Sequence, residues 1–142
     1  MKVKRILAID YGSKRIGLAL SDPLGLIAYP LPFLPNRGES KLILELKKIV
    51  SEKSVELILF GLPRSLDDSI GAQAREYIKC SEKIQKALAI EIKLVDERFS
   101  SRESEAFLIE ELDISREKRK KMRDSLSACL LLKSYLATQQ KS

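Results

Sequence analysis

The stretch Val3–Leu20, VKRILAIDYGSKRIGLAL, decides how the rest of the chain reads. Val3 to Ile9 is an apolar run that stops at Asp10, the pattern of a buried strand. Tyr11 to Lys14 reads as a turn. Ile16, Leu18 and Leu20 then alternate with Gly17 and Ala19, and this period of two predicts a second strand folded back on the first as a hairpin. Asp10 ends the first strand, where a charge is costly unless paired or bound to a cation. Gly12, two residues on, lets the backbone approach a phosphate with no Cβ in the way. The competing reading of Asp10 is a carboxylate that organises the hairpin turn. Gly12 and Gly17 have the spacing of a P-loop, but Leu18 and Ala19 stand where Lys and Ser or Thr are required, and a strand follows instead of a helix.

Outward from the hairpin, Leu26 to Phe33 is a third strand, and Pro30 and Pro32 put it at a sheet edge or near its own end. Leu42, Ile43, Leu46, Ile49 and Val50 have helical spacing within Lys41–Lys53, with Ser40 as the expected N-cap. Glu56 to Phe60 is a buried strand ended by Gly61, Leu62 and Pro63. Ser69 to Leu88 is a second amphipathic helix, and Ile90 to Val95 a fifth strand running into Asp96, Glu97 and Arg98. Ser100 and Glu103 form a capping box before a helix from Ser101 to about Leu112. A last helix, to about Ala137, is apolar on most of its circumference and packs into the core. This order predicts an α/β fold: a hairpin-led, mixed five-stranded sheet extended by βαβ units, with helices on both faces.

The 142 residues suit one domain, 1–142, and the apolar fraction of 44% suffices for one core. No run is long enough to span a membrane, and the apolar stretch after the basic N-terminus is too short for a secretory signal, so a cytoplasmic location is expected. Cys80 and Cys129 fall on helices without C-x-x-C spacing and read as buried thiols. The net charge of +6 favours a polyanionic partner. The absence of histidine excludes Ser-His-Asp and Cys-His nucleophile systems and removes the commonest zinc ligand. Hydrolysis by this chain must run on carboxylates, lysines or a bound metal.

Three carboxylates are candidates. Asp10 is joined by Glu97 at the end of the fifth strand, where parallel strands gather their ends at one sheet edge. The alternative for Asp96-Glu97-Arg98 is a surface turn in which Arg98 pairs an acid. Asp124 shares a helix face with Ser127, Ala128 and Leu131, though it also sits where it could cap the helix. Two like charges about 4 Å apart repel by about 4 kcal/mol at an effective dielectric of 20. Three converging acids therefore call for a cation, and an all-oxygen ligand set selects Mg²⁺ or Mn²⁺ over Zn²⁺. Basic residues flank each acid: Lys14 and Arg15 after Asp10, Arg98 after Glu97, and the Arg116–Arg123 run before Asp124. With Ser13 and Arg64 they form a candidate rim for nucleic-acid phosphates, while the Arg116–Arg123 run equally suits a solvated helix face.

Four ordered blocks carry a resemblance that spans nearly the whole chain. Ile9–Ala19, then Phe60–Pro63 with Asp68-Ser69 and Gly71–Ala74, then Asp96–Ser101, then Asp124–Ala128 resemble the signatures of the YqgF family of Holliday-junction-resolvase-like proteins. The resemblance implies a ribonuclease H-like fold and a cytoplasmic nuclease. Its implied substrate is the 5′ end of the pre-16S rRNA, with resolution of four-way DNA junctions as the older proposal. The family's catalytic acids carry over to Asp10, Glu97 and Asp124. Two positions depart from the commoner pattern: Phe99 and two serines stand where threonines usually follow the third block, and Asp68 where glycine usually precedes Ser69. The fourth strand, Leu57 to Phe60, lacks the acid that many ribonuclease H-like enzymes place there, so Glu97 takes that place, with Asp96 as the alternative.

Two other classes compete with a metal-dependent nuclease. One is a non-catalytic module that binds structured RNA or branched DNA through the same basic rim. The other is a nucleotide-binding fragment of the actin and sugar-kinase type, against which the length argues. A monomer and a homodimer are both open.

Overall fold

The computed structural model describes residues 5–62, 71–96 and 125–140. Strands β1 (Arg5–Tyr11), β2 (Arg15–Ser21) and β3 (Ala28–Pro35) form an antiparallel meander, followed by α1 (Glu39–Lys53), β4 (Val55–Leu62), α2 (Ala72–Leu88), β5 (Glu91–Asp96) and α3 (Leu126–Gln140). The sheet order is β3-β2-β1-β4-β5, with β1, β4 and β5 parallel. The expected mixed five-stranded sheet is therefore present, and the proline-bearing β3 occupies an edge.

The sheet is buried on both sides because its central strands are apolar at successive positions. Ile6 and Ala8 of β1, with Leu57 and Leu59 of β4, face α3. Leu7 and Ile9, with Ile58 and Phe60, face α1 and α2. Cys129 lies in the first layer and Cys80 in the second, so the two buried thiols are on opposite sides of the sheet. Ala8 pairs with Ala19 across the hairpin, and these short side chains let α3 lie close to the sheet. Among the described residues, no helix is long and apolar enough to cross a membrane.

Several boundaries differ from the sequence expectation. α1 begins at Glu39, so Ser40 lies inside the helix. The cap is Gly38, whose φ of 104° suits glycine and which supplies no side-chain hydrogen bond. β4 does not stop at Phe60: Gly61 and Leu62 continue the ladder opposite Val95 and Asp96. β1 likewise carries Asp10 and Tyr11 within the strand, paired with Gly17 and Ile16. The expected capping box at Ser100 and the helix after it lie outside the described residues.

Polar groups fix what apolar packing leaves free. At one end of the sheet Ser21 Oγ accepts the Ile6 N–H at 2.8 Å, and Arg5 donates to the Ser21 carbonyl and the Tyr29 hydroxyl. Toward the other end the β2–β3 register slips between Ile16 and Leu18. Leu18 N–H there donates to Ser125 Oγ at 3.0 Å, and Ser125 is fully buried. Leaving a buried donor unpaired costs about 1–3 kcal/mol. Ser125→Ala should therefore lower the unfolding free energy by about 1–3 kcal/mol, measured by urea denaturation. Cys80 provides a second check. Burial, helped by the Glu39 carboxylate, pushes its thiol up from the usual value near 9 to about 11. A folded-state value above the unfolded one makes that contribution complete below about pH 9 and lost as the pH climbs toward 11. Stability of the native chain should fall over this window, and the fall should be shallower in Cys80→Ala.

Candidate active site

The site is built where β1, β4 and β5 end at a common edge of the sheet. Asp10 is half-buried there and belongs by alternation to the α3 face, with Ile6 and Ala8. Its lateral neighbours are small. Gly17 pairs with it directly from β2. On the β4 side Ile9 pairs with Phe60, which brings Gly61 into the next row beside Asp10. Two strand positions without side chains thus flank the carboxylate and leave room above it. Val95, opposite Gly61, continues the same row and packs into the α3-side core.

The fourth side of the site comes from the C-terminal helix. Ser125 is bonded to Leu18, the residue after Asp10's partner Gly17. The start of α3 is thereby held next to the Asp10 row. Glu97 and Asp124 lie outside the described residues, as do Arg64 and Arg98. The described neighbours on either side of the gap, Asp96 at the end of β5 and Ser125 before α3, both belong to elements that border this edge.

The turn after Asp10 is held from β3, a contact that sequence reading missed. Asn36 Nδ2 donates to the Gly12 carbonyl at 2.7 Å, and the Asn36 N–H donates to the Lys14 carbonyl at 2.9 Å. Gly12 has its own reason within the chain: a Cβ there would collide with the Arg15 carbonyl oxygen. Its φ is outside the left-handed region, so the requirement is space, not backbone conformation. Ser13, Lys14 and Arg15 are exposed at the tip. Arg15 is two residues from Gly17 and so shares the Asp10 face, with its guanidinium 5.5 Å above the Phe33 ring.

Behind the site, on the opposite face, Tyr11 stacks on Phe60 and meets Tyr77 edge-on. Desolvation raises the Tyr11 hydroxyl above its ordinary value, against the lowering effect of its Asn36 hydrogen bond. The phenol is therefore neutral at physiological pH. This aromatic cluster forms a rigid back wall for the strand that carries Asp10. No signal in a single sequence marks Asn36, because its partners lie far upstream. Gly61 was visible but read as a strand terminator, and its place beside Asp10 follows only from the β1–β4 register.

Comparison with known proteins accords with this architecture. The family model described as "RuvX: Holliday junction resolvase" matches residues 4–138. A protein of Caldanaerobacter subterraneus subsp. tengcongensis, named "Putative pre-16S rRNA nuclease", is 39% identical over 138 residues, covering 97% of this chain and 99% of the relative. One of the same name from Endomicrobium trichonymphae is 41% identical over 137 residues, covering 96% and 98%. Among solved structures, T. thermophilus RuvC in complex with a Holliday junction substrate matches with a TM-score of 0.63 at 10% identity, over 99% of this chain and 98% of that one. The Fowlpox virus resolvase in complex with Holliday junction DNA gives 0.62 at 11% identity, over 95% and 98%. At such identities the structures speak to the fold, which is the ribonuclease H-like one expected from the sequence. The near-complete family match and the end-to-end relatives decide the rest: the chain belongs to the RuvX family, the YqgF family whose four blocks its sequence resembles.

Proposed function

We propose that this protein is a metal-dependent nuclease that hydrolyses phosphodiester bonds, with the 5′ end of the pre-16S rRNA as its substrate. The observation that carries this reading is the placement of Asp10: a carboxylate at the shared edge of three parallel strands, flanked by Gly17 and Gly61, with the start of α3 pinned beside it. The name shared by relatives near 40% identity supports the rRNA substrate. In this reading Asp10, Glu97 and Asp124 are the metal ligands and the catalytic residues, and the whole chain, 1–142, is one nuclease domain. Val95 lies on the Asp10 face, and residue 97 has the parity of Val95 while residue 96 does not. That alternation supports Glu97 over Asp96 as the second ligand.

The chain fits a hard divalent cation. It offers a half-buried aspartate flanked by two glycine strand positions and no histidine to compete for softer metals. When bound, Mg²⁺ or Mn²⁺ would activate water and offset phosphate charge. The chain's own residues bind and orient. Half-buried Gly12 and the exposed Ser13, Lys14 and Arg15 form a tip for substrate phosphates, which Asn36 braces from behind. Arg64 and Arg98 complete the basic rim. Such a substrate places the protein in the cytoplasm.

A second reading is resolution of four-way DNA junctions, favoured by the description of the family model. The two separate by substrate. Labelled structured RNA, single-stranded RNA and four-way DNA are each incubated with Mg²⁺ or Mn²⁺. We expect cutting of RNA, and Asp10→Asn should reduce it by roughly two to three orders of magnitude while leaving binding in EDTA unchanged. Equal cutting by wild type and variant would sink the assigned site. Binding without cutting of any substrate would favour a non-catalytic module. Symmetric incision of junction DNA by a dimer in light scattering would favour the resolvase.

A further inference from the structure

A cleft of about 400 Å³ lies between the end of β3 and the first half of α1, outside the site described above. Its apolar lining includes Leu34, the buried Leu42 and Leu44, which is 59% exposed. Its rim carries Arg37, Lys41 and Lys48, against a single acid, Glu45. Glu45 is neutralised by Lys48 at 3.6 Å. Arg37 and Lys41 have no ion-pair partner among the described residues. The cleft thus combines an apolar floor with two cations that have no ion-pair partner among the described residues, an arrangement suited to a ligand with an apolar body and a negative charge.

The position of the cleft says which ligand. Asn36, which holds the turn carrying Lys14, is the residue before Arg37. Arg37 therefore stands at the same end of the sheet as the Lys14 turn, while Leu34 and Leu42 put the floor of the cleft on the α1 face, so a strand leaving the Asp10 edge reaches it by passing around that end of the sheet. The geometry points to a second binding site for the substrate: the cleft takes a nucleotide of a single-stranded extension flanking the cut, its base against Leu34 and Leu44 and its phosphate on Arg37 and Lys41. This rests on the nuclease reading for the identity of the strand.

The test measures binding of the full chain in EDTA by fluorescence anisotropy. The probes are a labelled blunt RNA hairpin and the same hairpin with a single-stranded extension at either end. Arg37→Ala with Lys41→Ala should weaken binding of one extended hairpin roughly tenfold and lower its salt slope by about 0.7, the value for one lost phosphate contact. Blunt-hairpin binding should stay unchanged. Leu44→Ser should weaken the same extended probe roughly threefold at an unaltered salt slope, since it removes apolar area and no charge. Lys47→Ala with Lys79→Ala removes equal charge from exposed positions elsewhere and serves as the control. An equal loss in the control, an equal loss on the blunt hairpin, or no loss at all would overturn the proposal. The cleavage assay on wild type reads separately. Wild-type cutting with flat binding data rejects the cleft alone, whereas no cutting with a selective binding loss rejects the nuclease and retains the cleft.

Discussion

The bond from Leu18 N–H to Ser125 Oγ joins residues 107 apart in sequence, and the architecture of the site turns on it. Apolar contact has no direction, and α3 is buried around most of its girth, so packing alone would let it rotate or slide along the sheet. A fully buried hydroxyl with one backbone partner removes that freedom. It fixes the helix start against the strand position next to Gly17, and so against Asp10.

The same logic runs through the rest of the edge. Asp10 stands on a strand whose neighbours supply glycines in its row and whose back is held by Tyr11, Phe60 and Tyr77. Asn36 ties the following turn to β3 with two hydrogen bonds to backbone carbonyls. Rigid elements carry the acid, and a braced turn carries the cations.

Much of this was legible in the sequence where the signal is local. The alternation from Ile16 to Leu20 and the apolar runs of β1 and β4 announce strands, and the resemblance orders them into a known fold. Legibility failed where tertiary pairing overrode a local cue. Gly61 looks like a terminator, yet β5 supplies Val95 to pair with it. Ser40 looks like a cap, yet Gly38, at a positive φ that suits glycine, caps a helix that starts earlier, at Glu39. Asn36 and the cleft beside it depend on neighbours that no window of sequence contains. Of the three acids, the described residues include one, Asp10, which lies inside β1 and not at its end.

β3 bears on how copies of this protein can associate. Three of its eight positions are proline, at 30, 32 and 35, and each lacks an N–H to donate. A second chain aligning against that flank would meet gaps in the ladder it needs, so merging two sheets there into one is disfavoured. A symmetric pair is then better joined through helices, through loops or along the β5 flank. In each case the two Asp10 sites would be spaced by something other than a continuous sheet across β3.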